Sequence, residues 1–160
     1  MIPYINIYDN LIIVKSLTKF FAIPGLRIGY SIMRNINFKE KVNKVSPAWN
    51  INILAEIATK KVLSDEKYIL NTINFMEKER DYLYNELRCL NRIKVFKPSV
   101  NFIFFKLEED IDLKNELLAK NILIRSCDNY HGLNENYYRV AVRSHDENIK
   151  LITALKNIIN

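Results

Sequence analysis

A chain of 160 residues that is 49% apolar and 26% charged can furnish one ordinary core, which excludes intrinsic disorder, and no apolar run reaches the ~18 residues a membrane-spanning helix needs. The opening residues, MIPYINIYDN, lack the basic, apolar and small-residue succession of an export signal, so the expected compartment is the cytoplasm, with no membrane partner. The net charge of +6 (24 Lys and Arg against 18 Asp and Glu) lies wholly in residues 1–61, where nine basic residues meet three acidic ones; residues 62–160 hold fifteen of each.

Such an excess suggests an anionic partner: nucleic acid, a phosphate-bearing small molecule or an acidic protein surface. The basic residues are dispersed and form no nucleic-acid-binding motif, so nucleic acid is not expected. Cys89 and Cys127 stand far apart without a CxxC, and His131 and His145 are isolated, so neither a disulfide framework nor a metal site is encoded. Both cysteines are expected as reduced core or near-core thiols.

In chain order, Leu11 to Val14 is a short continuous apolar run, which fits a strand buried on both faces of a mostly parallel sheet. A second such strand, Ile28 to Met33, follows the Pro24-Gly25 turn. Asn37 with Glu40 resembles a capping box, and Ser46-Pro47 places a cap residue before a proline, so helices are expected to begin at both places. The second should run through Ile53, Leu54, Ile57, Ala58 and Val62. From Ser64 to about Leu90 there is neither Gly nor Pro, and Tyr68, Ile69, Ile73, Met76, Tyr82, Leu83 and Leu87 recur near the helical period, which predicts one long helix.

Strands are then predicted at Ile93 to Phe96 and Phe102 to Leu107, followed by a helix capped by Asp112 with Leu113, Leu117 and Leu118. Ile122 to Ile124 and Tyr137 to Val142 read as two more strands, joined by the loop that holds Gly132. Ser144 with Glu147 forms a capping box for a last helix whose apolar face is Ile149, Ile152, Leu155 and Ile159. Residues 64–160 therefore make a self-contained α+β unit, a small sheet covered by helices on one side. Residues 1–63 do not, since two buried strands cannot form a parallel sheet alone, and the chain reads as the C-terminal part of a larger fold.

The chemistry concentrates in Lys15-Ser16-Leu17-Thr18-Lys19-Phe20-Phe21-Ala22-Ile23-Pro24-Gly25-Leu26-Arg27-Ile28-Gly29-Tyr30. Two hydroxyls at a strand end, Ser16 and Thr18, with the guanidinium of Arg27 beyond a tight turn, suit a phosphate monoester. Lys19, followed by Phe20, Phe21 and Ala22, is expected to be partly desolvated, and burial favours the neutral amine that attacks carbonyls. Residue types alone still favour reading Lys19 and Arg27 as solvated loop charges and Ser16 and Thr18 as strand and turn residues.

This stretch resembles the lysine motif of the fold-type I pyridoxal-phosphate enzymes, a Ser/Thr-x-Ser/Thr-Lys followed by Gly-Leu-Arg-x-Gly-Tyr. It is most similar to the subgroup containing histidinol-phosphate aminotransferase and L-threonine-O-3-phosphate decarboxylase. The resemblance implies that Lys19 is the catalytic lysine that holds pyridoxal 5'-phosphate covalently, and that Ser16, Thr18 and Arg27 hold its phosphate. Ser99-Val100-Asn101-Phe102-Ile103 resembles a Ser-x-Asn-Phe segment that opens a small-domain strand. The segments Ile124 to Leu133 and Tyr138 to Arg143 resemble the decarboxylase pattern, which implies that Arg139 pairs with the substrate α-carboxylate and that Arg125 reaches its phosphate.

Without the family, Arg139 reads as a strand arginine pairing with a surface acid, and Arg143 has no assigned role. The implied fold is α/β: residues 1–63 are a remnant of the large cofactor-binding domain, and 64–160 are a small domain with a mostly antiparallel sheet and helices on one side. The implied parent is a cytoplasmic homodimer acting on a phosphorylated amino acid. The expected activity is that of an O-phospho-L-threonine decarboxylase of cobamide synthesis, with a histidinol-phosphate aminotransferase or related class I/II aminotransferase as the alternative, the isolated chain being in a third reading catalytically silent. The glycine-containing loop, ring-stacking aromatic and pyridine-nitrogen Asp of such enzymes have no counterpart in these 160 residues.

Overall fold

The structure is a computed structural model in which residues 2–159 are described. The chain forms two compact units, one running to Leu70 and one starting at Asn71. No helix among the described residues is long and apolar enough to cross a membrane.

In the first unit, β1 (Ile12–Ser16) and β2 (Gly29–Met33) form a two-stranded sheet in register from Ile12↔Met33 to Ser16↔Gly29. The pairing is antiparallel, because the chain reverses over residues 17–28 and the strands on either side of the reversal pair with each other. The expected burial on both faces is not found: Ile12, Val14 and Tyr30 are exposed, Val14 at 78%. Leu17, Ile28 and Ala55 make the buried cluster of this unit, with Phe21, Ile23 and Leu26 packed against it.

Helix α1 (Ile36–Val45) begins earlier than expected. Asn35 caps it by accepting from the Phe38 N–H at 2.9 Å, so the Asn37 and Glu40 pair lies inside the helix. Ser46 ends this helix instead of starting the next one: its backbone N–H and its hydroxyl both donate to the Val42 carbonyl. The following Pro47 holds Ser46 in extended backbone at ψ 134°. Helix α2 (Ile53–Leu63) starts at Asn52, which accepts from the Ala55 N–H at 2.8 Å. Ala55 is its buried residue, while Ile53, Leu54 and Ile57 are exposed.

The long helix is present as α3 (Glu66–Arg88), which passes from one unit into the other. Its buried positions are Glu79, Leu83 and Leu87, whereas Tyr68 and Ile73 of the expected apolar stripe are exposed. In the second unit, β3 (Ile93–Val95), β4 (Phe102–Leu107), β5 (Arg125–Ser126) and β6 (Tyr137–Ala141) form an antiparallel sheet in the order β3-β4-β6-β5. Residues 122–124 are not a strand, and pairing to β6 begins only at Arg125.

One face of this sheet, including Ile103, Phe105, Leu107, Tyr138 and Val140, shares a continuous core with α3, α4 (Leu113–Leu118) and α5 (His145–Ile159). Asp112 caps α4 as expected, accepting from the Asn115 N–H. At the start of α5 the Ser144 hydroxyl and backbone N–H both donate to the Glu147 carboxylate. The buried stripe of α5 is Asn148, Leu151, Ile152, Ala154, Leu155 and Ile159; Ile149, expected on the apolar face, lies outside it at 40% exposure. Of the thiols, Cys127 is buried, but Cys89 is exposed and outside the core.

Candidate functional site

In the first unit the motif loop is built by short-range backbone bonds. Leu17 N–H donates to the Ile28 carbonyl, extending the β1–β2 ladder by one step, and the Phe21, Ala22 and Ile23 amides donate to the carbonyls of Leu17, Lys19 and Thr18. Ala22 (φ 53°) and Arg27 (φ 51°) both occupy the left-handed region, an arrangement that costs about 1 kcal/mol or more at a non-glycine residue. Gly29 has a steric reason: a Cβ there would lie 2.6 Å from the Lys15 carbonyl oxygen across the hairpin.

This folding brings three of the expected residues together. Ser16 Oγ and Thr18 Oγ1 are 2.7 Å apart, and the Thr18 N–H donates to Ser16 Oγ at 3.3 Å. With Arg27 they line an open depression of about 410 Å³, whose lining also includes Ile28 and Gly29. Thr18 is buried at 6% exposure, while Ser16 and Arg27 are exposed. Arg27 donates from one guanidinium nitrogen to the Pro24 carbonyl at 3.3 Å, and among the described residues no carboxylate pairs with it. Two hydroxyls and an unpaired guanidinium around one depression form a donor set that fits a phosphate ester.

Lys19 departs from the expectation. It follows the buried Thr18 but is exposed and does not line the depression, so the desolvation expected from its aromatic neighbours is absent. Phe20 and Phe21 turn instead toward Tyr68: Phe21 stacks on it at 5.9 Å between centroids, and the Tyr68 hydroxyl donates to the Phe20 carbonyl at 3.2 Å.

The second unit holds the other two expected residues. Arg125 on β5 stands directly across from Arg139 on β6. Like charges facing each other across strands are destabilising. No ion pair to either is found among the described residues, so the carboxylate partner that a surface arginine invites is missing. Arg139 Cζ lies 4.5 Å from the centroid of the Phe102 ring, a cation–π contact. Burial pushes the neighbouring Cys127 thiol up, opposed in part by the charges of Arg139 and Arg125. Arg143, in contrast, is paired: its Nε donates to Glu147 at 2.7 Å.

One polar cluster had no counterpart among the sequence-based expectations. Glu79, 2% exposed on α3, is within 3.1 Å of His145 Nδ1 and accepts from Asn148 Nδ2 at 3.0 Å. Asn148 in turn donates to the Arg143 carbonyl and accepts from the Arg143 N–H. Burial raises the Glu79 pKa, but the hydrogen bonds from Asn148 and His145 outweigh it and hold the carboxyl below its ordinary value. The available signal was a lone acid three residues beyond Met76 and four before Leu83, on the buried stripe of α3.

Residues 2–155 match the family described as aminotransferase class I and II. The chain is 37% identical over 159 residues to threonine-phosphate decarboxylase of Salmonella typhimurium, covering 99% of this chain and 44% of that one. It is 35% identical over 160 residues to histidinol-phosphate aminotransferase of Caldanaerobacter subterraneus, covering 100% and 45%. The crystal structure of the histidinol-phosphate aminotransferase from Clostridium acetobutylicum superposes with a TM-score of 0.95 at 36% identity, over 100% of this chain and 49% of that one. The chain thus spans about half the length of the relatives it matches.

Proposed function

Since the chain belongs to the class I and II aminotransferase family of pyridoxal-phosphate-dependent enzymes, we propose that it supplies the lysine and phosphate-binding elements of one acting on a phosphorylated amino acid, an O-phospho-L-threonine decarboxylase. The observation that carries this reading is the convergence of Ser16, Thr18 and Arg27 on one depression, with Lys19 next in the chain to Thr18. Ser16 and Thr18 would donate hydroxyl hydrogen bonds to the cofactor phosphate, and Arg27 would add charge-assisted ones. Lys19 would hold the cofactor through Nζ, and its ammonium, or a water, would deliver a proton to the substrate α-carbon. Arg139 orients the α-carboxylate and Arg125 takes the substrate phosphate. Bound pyridoxal phosphate supplies the electron sink for the pair left at the α-carbon when carbon dioxide departs.

A second reading, histidinol-phosphate aminotransferase, is supported by the superposition at a TM-score of 0.95. In it Lys19 shuttles the α-proton instead. A third, that the 160 residues by themselves are catalytically silent, is supported by the exposure of Lys19. We place the working enzyme in the cytoplasm as a homodimer. The deciding experiment uses the protein as its gene encodes it. Carbon dioxide release from O-phospho-L-threonine that is lost in Lys19→Ala is expected. Turnover of histidinol phosphate that requires 2-oxoglutarate, without carbon dioxide release, overturns the decarboxylase in favour of the aminotransferase. Micromolar cofactor binding by the 160-residue chain, seen as an absorbance band missing in Lys19→Ala, overturns the silent reading.

A further inference from the structure

The buried cluster around Glu79 takes no part in the proposed chemistry, yet its residue types are costly where they stand. A carboxylate and an amide, at 2% and 1% exposure, lie within the second unit, where polar groups are tolerated only when hydrogen-bonded. Asparagine is also a poor residue for the interior of a helix such as α5. Both ends of the Asn148 amide are nevertheless used. Nδ2 donates to the Arg143 carbonyl and to Glu79 Oε2, each at 3.0 Å, and Oδ1 accepts from the Arg143 N–H at 3.1 Å. An ionised Glu79 accepts and cannot donate, so it selects the same amide orientation that the Arg143 backbone needs.

The end of β6 gives this arrangement a purpose. Arg139 is the last residue of that strand with a partner on both sides, Phe104 of β4 and Arg125 of β5. Beyond it, among the described residues, β6 pairs with β4 alone, and the Val142 N–H donates to the Asn101 carbonyl at 3.0 Å. At the next residue the Asn148 side chain takes over, giving the Arg143 backbone an acceptor and a donor together, as a neighbouring strand would. Glu79 ties that side chain to α3, and His145 Nδ1 lies within 3.1 Å of the same Oε2.

We propose that Asn148 and Glu79 are positioning residues for Arg139, clamping the one-sided end of β6 to the core so that the guanidinium is presented in one place. This rests on the reading of Arg139 as the partner of the substrate α-carboxylate. A side chain is held to within about 0.5 Å only when the element that carries it is itself fixed, and a fully satisfied buried polar network supplies that rigidity.

Two measurements test it. Nuclear magnetic resonance on the 160-residue chain follows the Arg143 amide and the Arg139 side chain, whose Cζ, 4.5 Å from the Phe102 centroid, is within reach of that ring's current. In Asn148→Ala the Arg143 amide is expected to exchange about tenfold faster or more relative to the Phe105 amide, and the Arg139 signals to shift. Equal acceleration at both amides, or unshifted Arg139 signals, overturns the proposal. Kinetics of the protein as its gene encodes it supply the second readout. A variant that merely lowers the folded fraction lowers kcat and leaves KM alone, whereas a displaced Arg139 raises KM for the phosphorylated amino acid. Asn148→Ala is expected to raise KM about tenfold with kcat within about twofold; a loss in kcat alone overturns the proposal. Glu79→Leu, which removes a buried charge and so keeps the test open if Asn148→Ala does not fold, is expected to follow it in both measurements. Glu79→Gln, which keeps an oxygen for the Asn148 amide, is expected to stay near the parent; an effect as large as in Glu79→Leu overturns the proposal. The underlying reading fails separately, through an unchanged KM in Arg139→Gln.

Discussion

The two units of this chain are built on opposite terms. Up to Leu70 the buried cluster is Leu17, Ile28 and Ala55, and large apolar residues such as Val14, Trp49 and Ile53 remain exposed; from Asn71 on, eighteen of the described residues share one continuous buried core. The first unit carries the motif with the most specific chemistry, yet turn bonds and one crowded glycine hold its geometry. The second presents its arginine pair on a sheet whose opposite face is packed, the arrangement that fixes side chains best. A family motif therefore does not need a large local core to take shape, but it is expected to be the softer of the two regions.

The largest expected effect tests the packed side. Phe105 is fully buried, and Phe105→Ala should cost about 3–5 kcal/mol in urea unfolding followed by circular dichroism. A cost below about 1 kcal/mol would show that the second unit is no better packed than the first. On the softer side, Gly29→Ala drives a Cβ to within 2.6 Å of the Lys15 oxygen and should destabilise the hairpin by about 1–3 kcal/mol. A Cβ at Gly25 would meet nothing within 4 Å, and the backbone there has no positive φ, so Gly25→Ala should stay within about 0.5 kcal/mol. Hydrogen exchange at β1 and β2 amides reads both; equal acceleration by the two substitutions would remove the steric account of Gly29.

Glu79 gives the packed unit a pH dependence. Its folded pKa lies below the ordinary carboxylate value, so its contribution is present above that ordinary value and is lost as pH falls through the lower folded one. The groups facing it are His145 and Asn148 from α5. Glu79→Gln cannot ionise, and its stability profile should be flatter than the parent's across the acid range. Parallel profiles for the two proteins would assign the acid sensitivity to other carboxylates.

What could be read in the sequence had local causes. The extent of α3 followed from the absence of Gly and Pro together with the helical period, and β4 from the apolar segment that follows Pro98-Ser99. Within the candidate site, residue types alone favoured solvated loop charges and ordinary strand and turn hydroxyls; the family resemblance grouped Ser16, Thr18 and Arg27, which a strand end and a tight turn bring together over a dozen residues. The exposure of Lys19 was not legible, since Phe20 and Phe21 find Tyr68, about fifty positions away. The partnership of Glu79 with His145 spans 66 positions and leaves no local trace. Caps failed where several polar residues competed: Ser46 and Asn52 both qualify by type, and only the bond from Ser46 back to Val42 decides between them.

The smallest expected effect separates two jobs of one residue in the softer unit. Asn52 accepts the Ala55 N–H as the α2 cap, while its Nδ2 donates to the Leu26 carbonyl at 3.2 Å, tying the start of that helix to the turn next to Arg27. Asn52→Ala loses both and should cost about 1 kcal/mol. Asn52→Asp keeps the cap oxygen, adds a favourable charge at a helix N-terminus and loses only the bond to Leu26. If that tie matters to the loop, Asn52→Asp should leave α2 as stable as in the parent yet speed amide exchange at Leu26, which donates to the Ile23 carbonyl. Unchanged exchange there would mean that the turn is held by its own backbone bonds and that Asn52 serves α2 alone.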